Sequence, residues 1–74
     1  MTIKEAILIT LEKNKKLMNH KEIYNYIKSN NLAKFNSETP EATVSALLGD
    51  FIRNNDNRVK RIKTNKSTYL YYFS

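Results

Sequence analysis

Apolar residues recur at helical spacing in three stretches of the chain, then give way to alternation near its end. Ile3, Ile7, Leu8 and Leu11 fall on one stripe, behind the start signal Thr2-Ile3-Lys4-Glu5. There the Thr2 hydroxyl can accept from the Glu5 amide while the Glu5 carboxylate reaches back, a capping box. The spacing predicts a first helix over about 3–14, stopped by Asn14-Lys15-Lys16. Leu17-Met18 is too short for a helix and suits a brief edge strand. Asn19 with Glu22 repeats the capping pattern, and Ile23 and Ile27, flanked by Tyr24 and Tyr26, predict a second helix over about 20–30. Leu32 and Phe35 are expected to tuck a loop against the core.

A third helix is expected over about 40–54. Thr39 stands where an N-cap belongs, Pro40 fits the first helical position, where no donor is missed, and Glu41 suits the helix dipole. Val44, Leu47, Leu48, Phe51 and Ile52 make its apolar stripe, and Asn54-Asn55-Asp56-Asn57 ends it. From there the period changes from that of a helix to that of a strand. Val59–Lys63 and Thr68–Phe73 are rich in β-formers and are joined by Thr64-Asn65-Lys66-Ser67, so they predict a hairpin. Tyr69 and Tyr71 alternate cleanly with Leu70 and Tyr72. Val59 and Ile62 lie three apart, which predicts a bulge or a short strand.

Helix, short strand, helix, helix and hairpin is the element order of a winged helix-turn-helix domain, a small α+β fold. In it the third helix lies in a DNA groove and the hairpin wing touches the backbone or a neighbouring groove. The same architecture also serves to dock proteins, so element order leaves both readings open.

Length and charge narrow the picture. Seventy-four residues make one domain over 1–74. A chain of this size buries only roughly 60–65% of its unfolded surface, too thin a core for a deep catalytic pocket to be expected. With no cysteine and one glycine, neither a disulfide framework, a thiolate metal site nor a glycine-rich phosphate cradle is available. No cofactor is implied. The longest aliphatic run, Ala6-Ile7-Leu8-Ile9, is far too short to span a membrane, and the chain reads as cytoplasmic.

The net charge of +6 suits a polyanion, and its distribution is uneven. From Asn57 onward stand Arg58, Lys60, Arg61, Lys63 and Lys66 with no acid. Residues 1–56 hold the other eight basic residues against all seven acids. Five of the six surplus charges therefore sit in the hairpin. They are candidate phosphate contacts; the plainer alternative is a β edge guarded by lysines against aggregation.

The third helix is more ambiguous. Opposite its apolar stripe lie Ala42, Ser45, Ala46, Gly49 and Arg53, with Thr43 and Asp50 at the edges. Base-reading helices usually present Arg, Asn, Gln or Lys, and this face offers one arginine among small residues. Gly49 in mid-helix costs about 1 kcal/mol against alanine, which a close approach to a DNA or partner backbone would explain. Thr39 and Thr43, at the amino end, would lie near a groove or phosphate. A small-residue face that is simply tolerated, groove reading and protein docking all remain open here. Ile9, on the wheel between Glu5 and Lys13, is expected to be exposed, either as an ordinary lone surface isoleucine or as a contact with a partner or further domain. His20 has no nucleophile or ligand set around it and is expected in the first turn of the second helix. The five tyrosines could stack on unpaired bases, but their spacing suits core or core-edge positions better.

The residues also carry a resemblance. Ile3-Lys4-Glu5-Ala6-Ile7, the Glu22-Ile23 pair, the run Thr39-Pro40-Glu41-Ala42-Thr43-Val44-Ser45-Ala46-Leu47-Leu48 and Thr68-Tyr69-Leu70 together resemble the HARE-HTH domain. That winged helix occurs in some restriction endonucleases, in ASXL-type chromatin proteins and, more distantly, in the RNA polymerase delta subunit. The similarity covers nearly the whole chain, and Thr39-Pro40-Glu41-Ala42-Thr43 is its most specific part. It implies a duplex-DNA-binding module, itself non-catalytic, linked to restriction, base modification or transcription. A docking module of the transcription or chromatin machinery is the alternative. Two departures stand out: Asn65-Lys66-Ser67 replaces the glycine usual in the wing turn, and Gly49-Asp50 stands where larger or basic side chains are usual.

Overall fold

The structure, a computed structural model, describes residues 1–36, 38–64 and 68–73. Its elements are α1 (Ile3–Asn14), α2 (His20–Ser29), α3 (Pro40–Arg53), β1 (Val59–Lys63) and β2 (Tyr69–Phe73). The first two helices start as their capping boxes predict. The Glu5 amide donates to Thr2 Oγ1 at 3.1 Å, and the Thr2 amide donates to Glu5 Oε1 at 3.1 Å. At α2 the Glu22 amide donates to Asn19 Oδ1 at 2.9 Å, and the Asn19 amide to Glu22 Oε1 at 3.1 Å. The bonds from Thr2 hold the Glu5 carboxyl below its ordinary pKa.

The third helix starts differently. Thr39 occupies the N-cap position, but its side chain makes no capping bond to the helix. The reason is backbone geometry. Thr2 and Asn19 have ψ of 161° and 172°, whereas Thr39 has ψ of 69°, which does not aim its hydroxyl over the first turn. The third helical residue is Ala42, so no carboxylate reaches back either. Pro40, with no amide hydrogen to satisfy, begins the helix in place of a side-chain cap.

The core is one cluster. Ala6, Ile7 and Leu11 of α1, Ile23 and Ile27 of α2, and Val44, Leu48 and Phe51 of α3 meet Met18, Val59 and Tyr71. Ile3, Leu8, Leu32 and Phe35 pack against its edge, and the Phe35 ring meets Tyr24 edge-on at 5.1 Å. Thr10 is buried too; its hydroxyl donates to the Ala6 carbonyl at 2.7 Å, so no polar group is stranded.

The hairpin pairs in regular antiparallel register, from Val59 opposite Phe73 to Lys63 opposite Tyr69. Contrary to the expectation from Val59 and Ile62, there is no bulge among these pairs. Ile62 is not a core residue at all. It faces outward with Lys60, Leu70 and Tyr72, while Val59, Arg61 and Lys63 share the other face with Tyr69, Tyr71 and Phe73. The edge strand expected at Leu17-Met18 reduces to a single bridge, in which Met18 and Tyr71 exchange bonds of 2.9 and 2.8 Å. That bridge clips β2 to the loop after α1.

Candidate nucleic-acid interface

The wing leaves the body just after α3, and its first cation is already engaged. Arg58 donates from Nε to Asp56 Oδ1 at 3.0 Å and from Nη2 to Oδ2 at 2.8 Å, and its amide donates to Oδ1 at 2.9 Å. This fork holds the Asp56 carboxyl at a pKa of about 2, with the Arg58 side chain as the largest cause. It also raises the Arg58 guanidinium above its ordinary value. As an anion contact, Arg58 must therefore be shared with Asp56 or released by it.

Further along β1, Lys60, Arg61 and Lys63 form no ion pair among the described residues, although Asp56 borders the same hollow as Lys60 and Arg61. Arg61 is exposed, with its guanidinium carbon 4.1 Å from the centre of the Tyr69 ring, the diagonal neighbour across the hairpin. Stacking holds the planar group without occupying its N–H donors, which stay available for an acceptor. Tyr69 in turn leans on buried Tyr71 at 6.5 Å. Lys63 extends from the same face and is exposed; Lys60, half-buried, lies on the opposite face beside Tyr72. Lys66 lies outside the described residues.

On α3 the charge balance is reversed. Ala42, Ala46 and Arg53 are exposed, while Thr43, Ser45, Gly49 and Asp50 are half-buried. Arg53, the face's one base-capable cation, is ion-paired with Asp50 one turn earlier. A hollow of about 750 Å³ separates the start of α3 from His20, the first residue of α2. Ser45 and Ala46 form part of it, but so do Glu38 and Glu41. These carboxylates counter the anion preference of the helix start beside Thr39. The Thr43 hydroxyl is turned back toward the Thr39 carbonyl, at 3.5 Å. A methyl group added at Gly49 would meet nothing within 4 Å, so packing within the domain does not require the glycine.

Three features went unread in the sequence: the clamp of Asp56 on Arg58, the ring beneath Arg61 and the position of His20 beside α3. The first had a signal, since an aspartate two residues before an arginine can bond its backbone and side chain together. The second required the hairpin register. The third depends on how α2 packs on α3, which no local pattern reports. Ile9 also differs from expectation: it is half-buried, in a groove with Met1 and Leu32.

Three helices with α2 packed on α3, followed by an antiparallel hairpin clipped back to the body, define a winged helix-turn-helix domain. Residues 1–68 match the HARE-HTH family, described as the ASXL and restriction endonuclease HTH domain. The chain belongs to that family, whose helix-turn-helix is of the DNA-binding kind. No curated protein and no solved structure matches it. No helix among the described residues is long and apolar enough to cross a membrane.

Proposed function

We infer that the domain binds duplex DNA chiefly through its wing, with Lys60, Arg61 and Lys63 on phosphates and Arg58 and Lys66 adding to the same field. The observation behind this reading is Arg61, exposed and held over the Tyr69 ring on an acid-free hairpin, with no ion-pair partner among the described residues. A stacked guanidinium is pre-ordered, so less rotamer freedom is lost when it meets a phosphate. The third helix lies along a groove by its small face, with Thr39, Thr43 and Ser45 toward the sugar-phosphate backbone and Arg53 at the far end. The domain's role is to bind, not to catalyse, as the DNA-recognition part of a cytoplasmic restriction or modified-DNA-processing protein.

Titration of the domain with a labelled duplex at two salt concentrations tests this. Three phosphate contacts give a slope of log affinity on log salt of about −2.7, steepening to about −4.5 with Arg58 and Lys66 engaged as well. A salt-insensitive titration, or none, rejects the reading.

One observation favours a second role for α3, as a protein-docking face. Its outward residues are small, Glu38 and Glu41 stand at its start, and Asp50 ties up Arg53. In that case the wing alone meets DNA, and substitutions on α3 leave duplex affinity unchanged.

A further inference from the structure

The outer face of the hairpin carries an apolar patch beside Lys60, where the rest of the wing is charged. Among the described residues the exposed large hydrophobic side chains are Met1, Leu17 and Ile62, and two of these three lie together here. Leu17 is 43% exposed and Ile62 44%, and they line one groove of about 530 Å³ with Tyr72 and Phe73. The groove runs between the hairpin and the loop that leaves α1. Its remaining wall is Lys15 and Lys16, and no acidic side chain lines it. Lys15 is the C-cap of α1 in the left-handed conformation, φ 48°, and this turn brings the Lys15-Lys16-Leu17 segment back along the sheet.

We propose that this groove docks an acidic amphipathic helix of a partner protein, with the partner's apolar side chains on Leu17, Ile62 and Tyr72 and its carboxylates toward Lys15 and Lys16. The chemistry selects that occupant. Leu17, Ile62 and Phe73 give a phosphate backbone no donors, so a duplex held by Lys15 and Lys16 would leave this apolar floor uncovered. A second copy of this chain, meeting the groove across a two-fold axis, sets Lys15 and Lys16 against their own counterparts with no acid between them. An anionic bilayer is met by a broad apolar face, whereas among the described residues the exposed large hydrophobic side chains here are only Leu17 and Ile62, an area matched to the apolar stripe of one helix. An apolar floor with a basic rim complements an apolar stripe with an acidic border. This does not rest on the DNA reading. Ile62, Tyr72 and Leu70 face away from Arg61 and Lys63, so the groove and the Arg61–Lys63 surface lie on opposite faces of one hairpin, with Lys60 the one wing cation on the groove's side among the described residues.

The test is fluorescence anisotropy of the whole domain with a short labelled peptide carrying leucine and phenylalanine at helical spacing among aspartates and glutamates. The peptide binds the wild-type domain, and Leu17→Ser with Ile62→Thr weakens it at least about tenfold, as expected from losing two apolar contacts. Lys15→Ser with Lys16→Ser weakens it by a factor that shrinks as salt rises. Duplex affinity of the Leu17→Ser, Ile62→Thr variant stays at the wild-type value, and circular dichroism shows it folded; Ile62→Thr keeps a β-branched residue in the strand. A control peptide with serine for every leucine and phenylalanine does not bind. The proposal is overturned if the wild type fails to bind the peptide, if the serine control binds equally, or if the apolar variant binds as wild type does. Groove-dependent binding to phosphatidylserine vesicles without peptide binding also overturns it, in favour of a membrane surface.

Discussion

The wing and the third helix join at Asn54–Arg58, and they treat charge in opposite ways. On α3 the arginine is neutralised by an aspartate one turn away, the start is flanked by two carboxylates, and the outward surface is alanine, serine and glycine. Beyond Arg58, which Asp56 holds, the described wing cations form no ion pair, and one of them sits over a tyrosine ring. The helix in the recognition position is thus shaped for close approach and the hairpin for electrostatic attraction. The position of an element in a fold does not reveal which one supplies affinity; the pairing state of its charges does.

The largest effect expected from breaking this contrast is in the wing. Arg61→Glu with Lys63→Glu removes two phosphate contacts and adds two repulsions, which should lower duplex affinity by on the order of 100-fold in an electrophoretic or anisotropy titration. Both side chains are exposed, so the folded spectrum should be retained.

Next comes the helix. If its small face enters a groove, Ala46→Glu places a carboxylate against phosphates and should cost about 1–3 kcal/mol of binding. Folding should barely change, since Ala46 is exposed and glutamate is a good helix former. A folded variant with wild-type duplex affinity assigns this face to protein docking.

Gly49→Ala sharpens the same question with a smaller change. With open space around the added methyl group, thermal or urea unfolding should show a stability gain of about 1 kcal/mol. If the helix lies against a DNA backbone, the more stable variant binds the duplex more weakly. Gain in stability with unchanged binding removes the close-approach explanation for the glycine.

The smallest effect concerns the joint between the two regions. Asp56 titrates at about 2, below its ordinary 3.8, so its bond to Arg58 stabilises the folded state above that ordinary value. The contribution is lost as pH falls from about 4 to about 2, and Asp56→Asn should flatten the fall of the unfolding midpoint across that window. At neutral pH the same variant releases Arg58 and should steepen the salt slope of duplex binding by about one contact.

Much of the fold was legible because its signals are local. Both capping boxes, the Pro40 start and the hydrophobic stripes lie within a few residues of the structure they dictate, and α1 spans the residues its spacing predicts. The features that escaped depend on geometry at longer range or on backbone angle. Thr39 is a good capping residue by type, but its ψ does not aim the hydroxyl at the first turn. Thr10 is polar by type yet buried, because its hydroxyl donates a hydrogen bond to the Ala6 carbonyl. Ile62 is apolar by type, but the register turns it outward, so its spacing from Val59 needs no bulge. At the candidate interface the excess of wing cations was visible in the sequence, but not which of them are engaged. That distinction separates Arg58, held by Asp56, from Arg61, held by a ring that leaves its donors available.

The central claim, that unpaired wing cations bind the duplex, is tested most directly by the salt dependence of duplex binding by Lys60→Ala with Lys63→Ala beside the wild type. The prediction is a slope of log affinity on log salt that is shallower by about 1.8, with affinity reduced to a similar degree across duplex sequences. A folded double variant with the wild-type slope and affinity would contradict it.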